Sequence, residues 1–222
     1  MLHRKPKEDT YLHKGLRKQL IQSLEQKGIT DKKVLDAMNA VPRHFFLDPA
    51  FEHYAYKDRP FTISEKQTIS HPYTVAFQTQ LLEVKKFDKV LEVGTGSLYQ
   101  ACVLAQMGVQ LYTIERQKEL YDVASNFFYL SQFPNIRRFF GDGFDGLPSF
   151  APFDKVIITC GAPFVPPKLV AQLKPGGIMV VPVGDDGNQK MLKIVKNADG
   201  STTEYVMGDF KFVPMLEGRN GM

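Results

Sequence analysis

Long hydrophobic runs are missing from this sequence. Its apolar stretches, such as 155–162 and 178–183, are strand-length and far short of a membrane span, so a soluble globular protein with no membrane partner is expected. The opening MLHRKPKEDTYLHKG lacks the apolar core of a secretory signal, and a cytoplasmic location is the expectation. Cysteine is scarce as well. Cys102 and Cys160 form no C-x-x-C pair and have no histidine at metal-ligand spacing, which argues against a disulfide framework and against a metal site. Both thiols are expected in the core. Basic charge exceeds acidic by only four, and unevenly: residues 1–33 hold nine Lys and Arg against four Asp and Glu, leaving nineteen against twenty in the rest. A solvated helix face above a buried stripe accounts for that excess, so no nucleic-acid partner is expected.

What is present suits one elaborated domain: 222 residues, 43% of them hydrophobic, bury one sizeable core. Leu12, Leu16, Leu20, Ile21 and Leu24 recur at helical spacing and Gly28 is placed to end that helix. A short second helix carries Val34, Leu35 and Met38 as far as Pro42, and 43–87 reads as irregular, rich in aromatics and proline, although QTIS can also be read as capping a helix that begins near Pro72. From residue 88 strand-like runs at 89–94, 109–115, 136–141, 154–160 and 178–184 alternate with helical stretches at 97–107, 117–131 and 167–173. Strand, helix, strand in repetition implies parallel strands with right-handed crossovers, an α/β fold with a doubly wound, Rossmann-like sheet. Two late strands, 189–197 and 204–214, joined by the turn NADGS, add an antiparallel pair. The expected organisation is a single domain over 1–222: an N-terminal helical and covering segment to 87, the α/β core over 88–184, and C-terminal strands over 185–222.

In such sheets ligands sit outside the carboxyl ends of the strands, near the first strand-to-helix turn. That turn is EVGTGSLYQ, 92–100, where Gly94 and Gly96 let the backbone approach a ligand. A dinucleotide site would need glycine at position 99, which is Tyr, and would set Glu92 beside a pyrophosphate. S-adenosylmethionine carries an ammonium and a sulfonium instead, so an acidic strand end favours it. Glu115 closes the second strand, 21 positions after Gly94, where a carboxylate can accept both ribose hydroxyls; pairing with Arg116 is the plainer alternative. The GDG at 141–143 places Asp142 where it can approach an adenine amino group. Leu98 stands where a third loop glycine would fall, and its bulk is expected to alter cofactor contacts. A hydrolase elbow around Ser97 is disfavoured, because positions 95 and 99 are Thr and Tyr rather than glycine. His71 beside Ser70 does not rescue that reading, and the remaining histidines, His3, His13, His44 and His53, read as surface or packing residues.

Taken in order, AVPRHFF (40–46), AYKDRPFTISEKQTISHPYTVAFQTQLLEV (55–84), VLEVGTGSLYQACVLAQMG (90–108), YTIER (112–116), GDGFDGLPSFAPFDKVIITCGAP (141–163), LKPGGIMVVPVG (173–184) and FKFVPM (210–215) resemble the protein-L-isoaspartate O-methyltransferase family nearly end to end. The resemblance implies an S-adenosylmethionine-dependent repair enzyme methylating the α-carboxylate of isoaspartyl residues in damaged proteins and peptides and releasing S-adenosylhomocysteine, and a monomer is expected. It makes Ser70 the active-site residue, with Thr68 and Ile69 lining the pocket. Cofactor contacts are implied for Thr68, Ile69, Glu92, Gly94, Thr95, Gly96, Ser97, Glu115, Arg116, Asp142 and Gly143. Substrate contacts are implied for Thr68, Ser70, Val213 and Pro214, with Met215 beside them. Two departures stand out: Leu98 for the last loop glycine, and TCGA at 159–162 where alanines are commoner.

The chemistry agrees with this reading. A carboxylate of pKa roughly 4 is ionised at neutral pH, so its methylation needs no general base. The protein has to hold one oxygen in line with the methyl in a dry pocket. Alternatives are an impaired homologue that binds the cofactor without turnover, a methyltransferase for another acceptor such as RNA, and a nicotinamide oxidoreductase.

Overall fold

The computed structural model describes residues 7–58, 61–64, 67–185 and 187–221, with 61–64, 67 and 68 described by their backbone alone. Helix α1 (Tyr11–Gln26) starts at a capping box between Thr10 and His13, and α2 (Lys32–Ala40) at Asp31, whose side chain accepts from the Lys33 amide. Gly28, at φ 94°, closes α1 in a conformation that glycine adopts without strain. Short 3-10 turns follow at Arg43–Phe46 and Pro49–Tyr54. A hairpin of β1 (Phe61–Ser64) and β2 (Gln67–Ile69) leads into α3 (Pro72–Leu82), with Pro72 in its first turn.

The 43–87 segment is thus ordered where the sequence reads as irregular. Helix α3 escapes the 3.6-residue test because it is buried over most of its circumference: Val75, Ala76, Gln78, Thr79, Leu81 and Leu82 are all inside. An all-round apolar helix has no polar face to create the periodicity.

The central sheet is built from β3 (Lys89–Val93), β4 (Gln110–Glu115), β5 (Ile136–Phe140), β6 (Phe153–Ile158), β7 (Leu173–Asp185), β8 (Asn188–Lys196) and β9 (Thr202–Phe210). Its order is β5-β4-β3-β6-β7-β8-β9, parallel from β5 to β7 and antiparallel for the last two pairings. The strand order reverses between β3 and β6, and there the carboxyl ends leave a crevice. Helices α4 (Tyr99–Gln106) and α5 (Lys118–Ser125) belong with the N-terminal helices to one core layer, while α6 (Pro167–Ala171) packs into the other. The helix expected through residue 173 stops at Ala171, and Leu173 already pairs with Phe153 in the sheet. Within β9 the pairs Leu192↔Val206 and Lys190↔Asp209 leave Met207 and Gly208 facing one residue, a bulge that turns Phe210 onto the ring of Phe77, 5.2 Å away.

A buried polar network fastens the 43–56 stretch to α1. Arg17 grips Asp9 with two bonds of 3.0 and 2.9 Å and donates to the Tyr56 hydroxyl, which lies 2.6 Å from His44 Nδ1. His44 Nε2 faces the Glu8 carbonyl at 3.1 Å, and burial pulls the imidazole down to a pKa of about 4. Asp9, His13 and His44 converge closely enough to suggest a cation site. Arg17 occupies both Asp9 oxygens and both His44 nitrogens have partners, so the cluster is a closed hydrogen-bond network.

Candidate active site

The crevice holds a cavity of about 530 Å³ walled by the turn after β3, the end of β4, Gly143, the turn after β6 and the C-terminal segment 213–220. Gly94, at φ 98°, opens the turn. A Cβ there would lie 2.6 Å from the Thr159 hydroxyl oxygen, so this position accepts only glycine. The same hydroxyl donates to the Val93 and Gly94 carbonyls at 3.0 and 2.8 Å and pins the turn to the neighbouring strand. Thr95 contributes its hydroxyl, 2.7 Å from that of Thr113. Gly96 donates its amide to Glu115 Oε2 at 2.9 Å, and Gln117 donates to Oε1 at 2.9 Å. Glu115 is therefore held rigidly on the cavity wall, each oxygen keeping a lone pair for a ligand donor. Ser97 also lines the cavity, accepting from the Tyr99 amide at 3.3 Å.

Leu98 does not enter this cavity. Its backbone takes φ 67° at the start of α4, the left-handed conformation a glycine would adopt freely, and its side chain is fully buried in the core. Left-handed backbone costs about 1–2 kcal/mol in a non-glycine residue, which burial of a leucine offsets at about 1.5–3 kcal/mol.

Glu92 departs from its expected place at the ligand. It pairs with Thr113 and Ile157 inside the sheet, so its carboxyl lies under α4 and off the cavity wall. It is fully buried, and among the described residues neither oxygen has a hydrogen-bond partner. Burial, reinforced by Glu115 and opposed by Thr113, pushes its pKa up to about 8. A mostly protonated carboxyl provides no fixed anion, so the electrostatic attraction that its sequence position suggested is absent.

Asp142 and Arg116 also take other partners. Asp142 accepts from the Phe144 amide at 2.8 Å and from the Gly218 amide at 2.7 Å, and Gly143 rather than Asp142 forms the cavity wall. A Cβ on Gly143 would meet Val93 at 2.5 Å, which explains glycine at that point. Arg116 lines the cavity, yet its guanidinium reaches the Gly218 and Glu217 carbonyls at 3.1 and 3.3 Å instead of Glu115. Further bonds from Asn220 to the Arg116 carbonyl, 2.8 Å, and from Lys118 to the Asn220 carbonyl, 3.0 Å, complete a strap over the cavity. Its other end is held by Gly161, which donates to Val213 at 2.8 Å and accepts from Met215 at 2.7 Å.

Ser70 stands where this cavity meets a second groove of about 790 Å³, lined by His71, Tyr73, Phe77, Asn188 and 207–213. Ser70, Thr159 and Val213 wall both spaces, whereas Pro214 walls only the first. Ile69 is buried in the core and lines neither, and the Thr68 side chain lies outside the described residues. Cys160 is a wall residue, not a core residue as expected, and burial pushes its thiol up to about 12. Sequence reasoning missed Gln100, Gln117, Thr159 and Asn220 on the walls, none of which carries a local signal.

The protein-L-isoaspartate(D-aspartate) O-methyltransferase family profile matches residues 15–220. A protein-L-isoaspartate O-methyltransferase of Flavobacterium johnsoniae is 54% identical over 213 residues, covering 96% of this chain and 100% of that protein. Its namesake in Christiangramia forsetii is 51% identical over 214 residues, covering 96% of this chain and 100% of that protein. Among solved structures, a protein-L-isoaspartate O-methyltransferase superposes with a TM-score of 0.79 at 25% identity, covering 89% of this chain and 65% of that one. A Plasmodium falciparum structure described as a complex with S-adenosyl-L-homocysteine shares the fold, with a TM-score of 0.78 at 24% identity, covering 90% of this chain and 98% of that one. The chain belongs to the protein-L-isoaspartate(D-aspartate) O-methyltransferase family.

Proposed function

We propose that this chain, an S-adenosylmethionine-dependent methyltransferase for the α-carboxylate of L-isoaspartyl residues in damaged proteins and peptides, performs the transfer at Ser70, where its two cavities meet. The observation that carries this assignment is that Ser70, Thr159 and Val213 wall both spaces. The strapped cavity suits the cofactor: its volume of about 530 Å³ lies in the range of small-molecule sites, its glycine turn leaves backbone exposed, and Glu115 presents two anchored acceptors. When bound, S-adenosylmethionine supplies a methyl group on a sulfonium centre. Glu115 takes the ribose hydroxyls, Gly94, Thr95, Gly96, Ser97 and Gly143 shape the remaining wall, and Val213, Pro214 and Met215 exclude water.

The groove suits a peptide. Tyr73, Phe77 and Phe210 stack along it at 5.7 and 5.2 Å, and β9 is an edge strand that leaves backbone groups for an extended partner. An isoaspartyl carboxylate entering from this side reaches Ser70 already ionised, so the Ser70 hydroxyl orients it and no side chain removes a proton. The chain is proposed to act as a cytoplasmic monomer, as a single domain, on proteins and peptides with no nucleic-acid or membrane partner; no described helix is long and apolar enough to cross a membrane.

Ser70→Ala tests the assignment. One hydrogen bond to a charged group contributes about 1.5–3 kcal/mol, so kcat/KM should fall by roughly ten- to a hundredfold while the melting temperature stays within about 2 °C. A wild-type kcat/KM in this variant would remove Ser70 from the mechanism.

A further inference from the structure

Arg43 stands behind Ser70. It lies in the 3-10 turn at Arg43–Phe46, is 2% exposed, and is among the largest fully buried side chains. Its NH2 group donates to the Ser70 carbonyl at 2.9 Å, and the guanidinium lies 4.7 Å from the centre of the Tyr99 ring, a wall of the cofactor cavity. Among the described residues its Nε and NH1 have no hydrogen-bond partner. No carboxylate among the described residues forms an ion pair with it. Asp58, the acidic group acting on it, is already committed to Lys27 at 2.5 Å, the Tyr73 amide at 3.0 Å and His71 at 3.0 Å.

A buried charge without a counter-ion is expensive, and apolar residues of similar volume commonly replace such groups with no loss of stability. One carbonyl and one aromatic face offset part of that. A buried cation that breaks the usual pairing rule points to function, and the partner that it lacks among the described residues is an anion. The reaction brings two carboxylates, that of the cofactor's amino-acid end and that of the acceptor, and the acceptor's is the one that reaches Ser70 from the groove.

We infer that Arg43 is a positioning residue that fixes the Ser70 peptide and supplies the buried positive charge that draws the isoaspartyl carboxylate to the junction of the two cavities. The inference rests on the reading of Ser70 as the acceptor site. Methyl transfer turns the carboxylate into a neutral ester, so a fixed cation holds substrate more strongly than product. Its contribution therefore falls on KM and on ester release and leaves the chemical step little changed.

The experiment compares wild type with Arg43→Met, which removes charge and hydrogen bond, Arg43→Gln, which keeps a donor, and Arg43→Lys, which keeps the charge. The readouts are methyl transfer to an isoaspartyl peptide, calorimetric binding of S-adenosylhomocysteine, and melting temperature. Expected for Arg43→Met and Arg43→Gln are a KM raised roughly tenfold or more, kcat within about threefold, cofactor-product affinity within about twofold, and an unchanged or higher melting temperature. Arg43→Lys should recover most of the KM. A wild-type KM in Arg43→Met, an Arg43→Lys as impaired as Arg43→Met, or a melting temperature lower by about 10 °C in Arg43→Met would each overturn the inference. Wild-type protein inactive on the peptide would overturn the reading of Ser70 along with it, and the wild-type control separates that case from the others.

Discussion

Glu115→Ala should weaken S-adenosylhomocysteine binding by roughly a hundredfold, read by calorimetry. Two charge-assisted hydrogen bonds to a ribose diol, at about 1.5–3 kcal/mol each before overlap, correspond to a loss of this order, because each 1.4 kcal/mol is a factor of ten. The carboxylate also braces the cavity, holding the Gly96 and Gln117 amides at 2.9 Å each. Its removal frees the loop as well as the ligand contact. Glu115→Gln keeps one acceptor and loses the charge, so its affinity should fall between wild type and Ala. The folded state should be affected less, since both amides sit beside the cavity, where water can replace the carboxylate. Affinity within twofold of wild type in the alanine variant would contradict the cofactor assignment.

The second large effect concerns stability. Glu92 has a pKa near 8 in the folded chain, against an ordinary carboxylate value of 4.5. Folded protein therefore holds a proton that the unfolded chain releases. This contribution to stability is full below about pH 4.5 and is lost as pH rises toward 8, at a slope of up to about 1.4 kcal/mol per pH unit. Glu92→Gln removes that slope. Allowing about 1–3 kcal/mol for a buried amide with no partner, the variant should be about 2 kcal/mol more stable than wild type at pH 7.5, and the advantage should disappear near pH 5. Chemical denaturation of both proteins at the two pH values checks it. A variant less stable than wild type at pH 7.5 would show that the carboxylate has a partner in solution.

Both predictions concern acidic residues that the sequence marks as ligand contacts, and the structure separates them by strand position. Glu115 is the last residue of β4 and reaches the cavity. Glu92 is one residue short of the end of β3, on the face turned toward α4. Glu92 is level with Thr113 of β4, two residues behind Glu115 on the same face, so depth along the strand decides which carboxyl reaches the crevice, and a strand end is hard to place that closely from sequence. The parallel core was readable because buried strands are continuous apolar runs separated by turn signals. Helix α3 has no polar face, and the sequence marks only its start near Pro72. Nothing local shows that residues 217–220 return across the cavity and take hydrogen bonds of Asp142 and Arg116, while Arg116 still lines the cavity. The bulk of Leu98 suggested altered cofactor contacts, yet a left-handed backbone sends the side chain into the core.

The most direct measurement is transfer of labelled methyl from S-adenosylmethionine to two peptides of one sequence, one with isoaspartate and the other with normal aspartate. Isoaspartate moves a free α-carboxylate into a place where normal aspartate has a peptide bond, and a junction shaped around Ser70 should discriminate between them. Label on the isoaspartyl peptide alone is the predicted result. Label on neither peptide, or equally on both, would contradict the account.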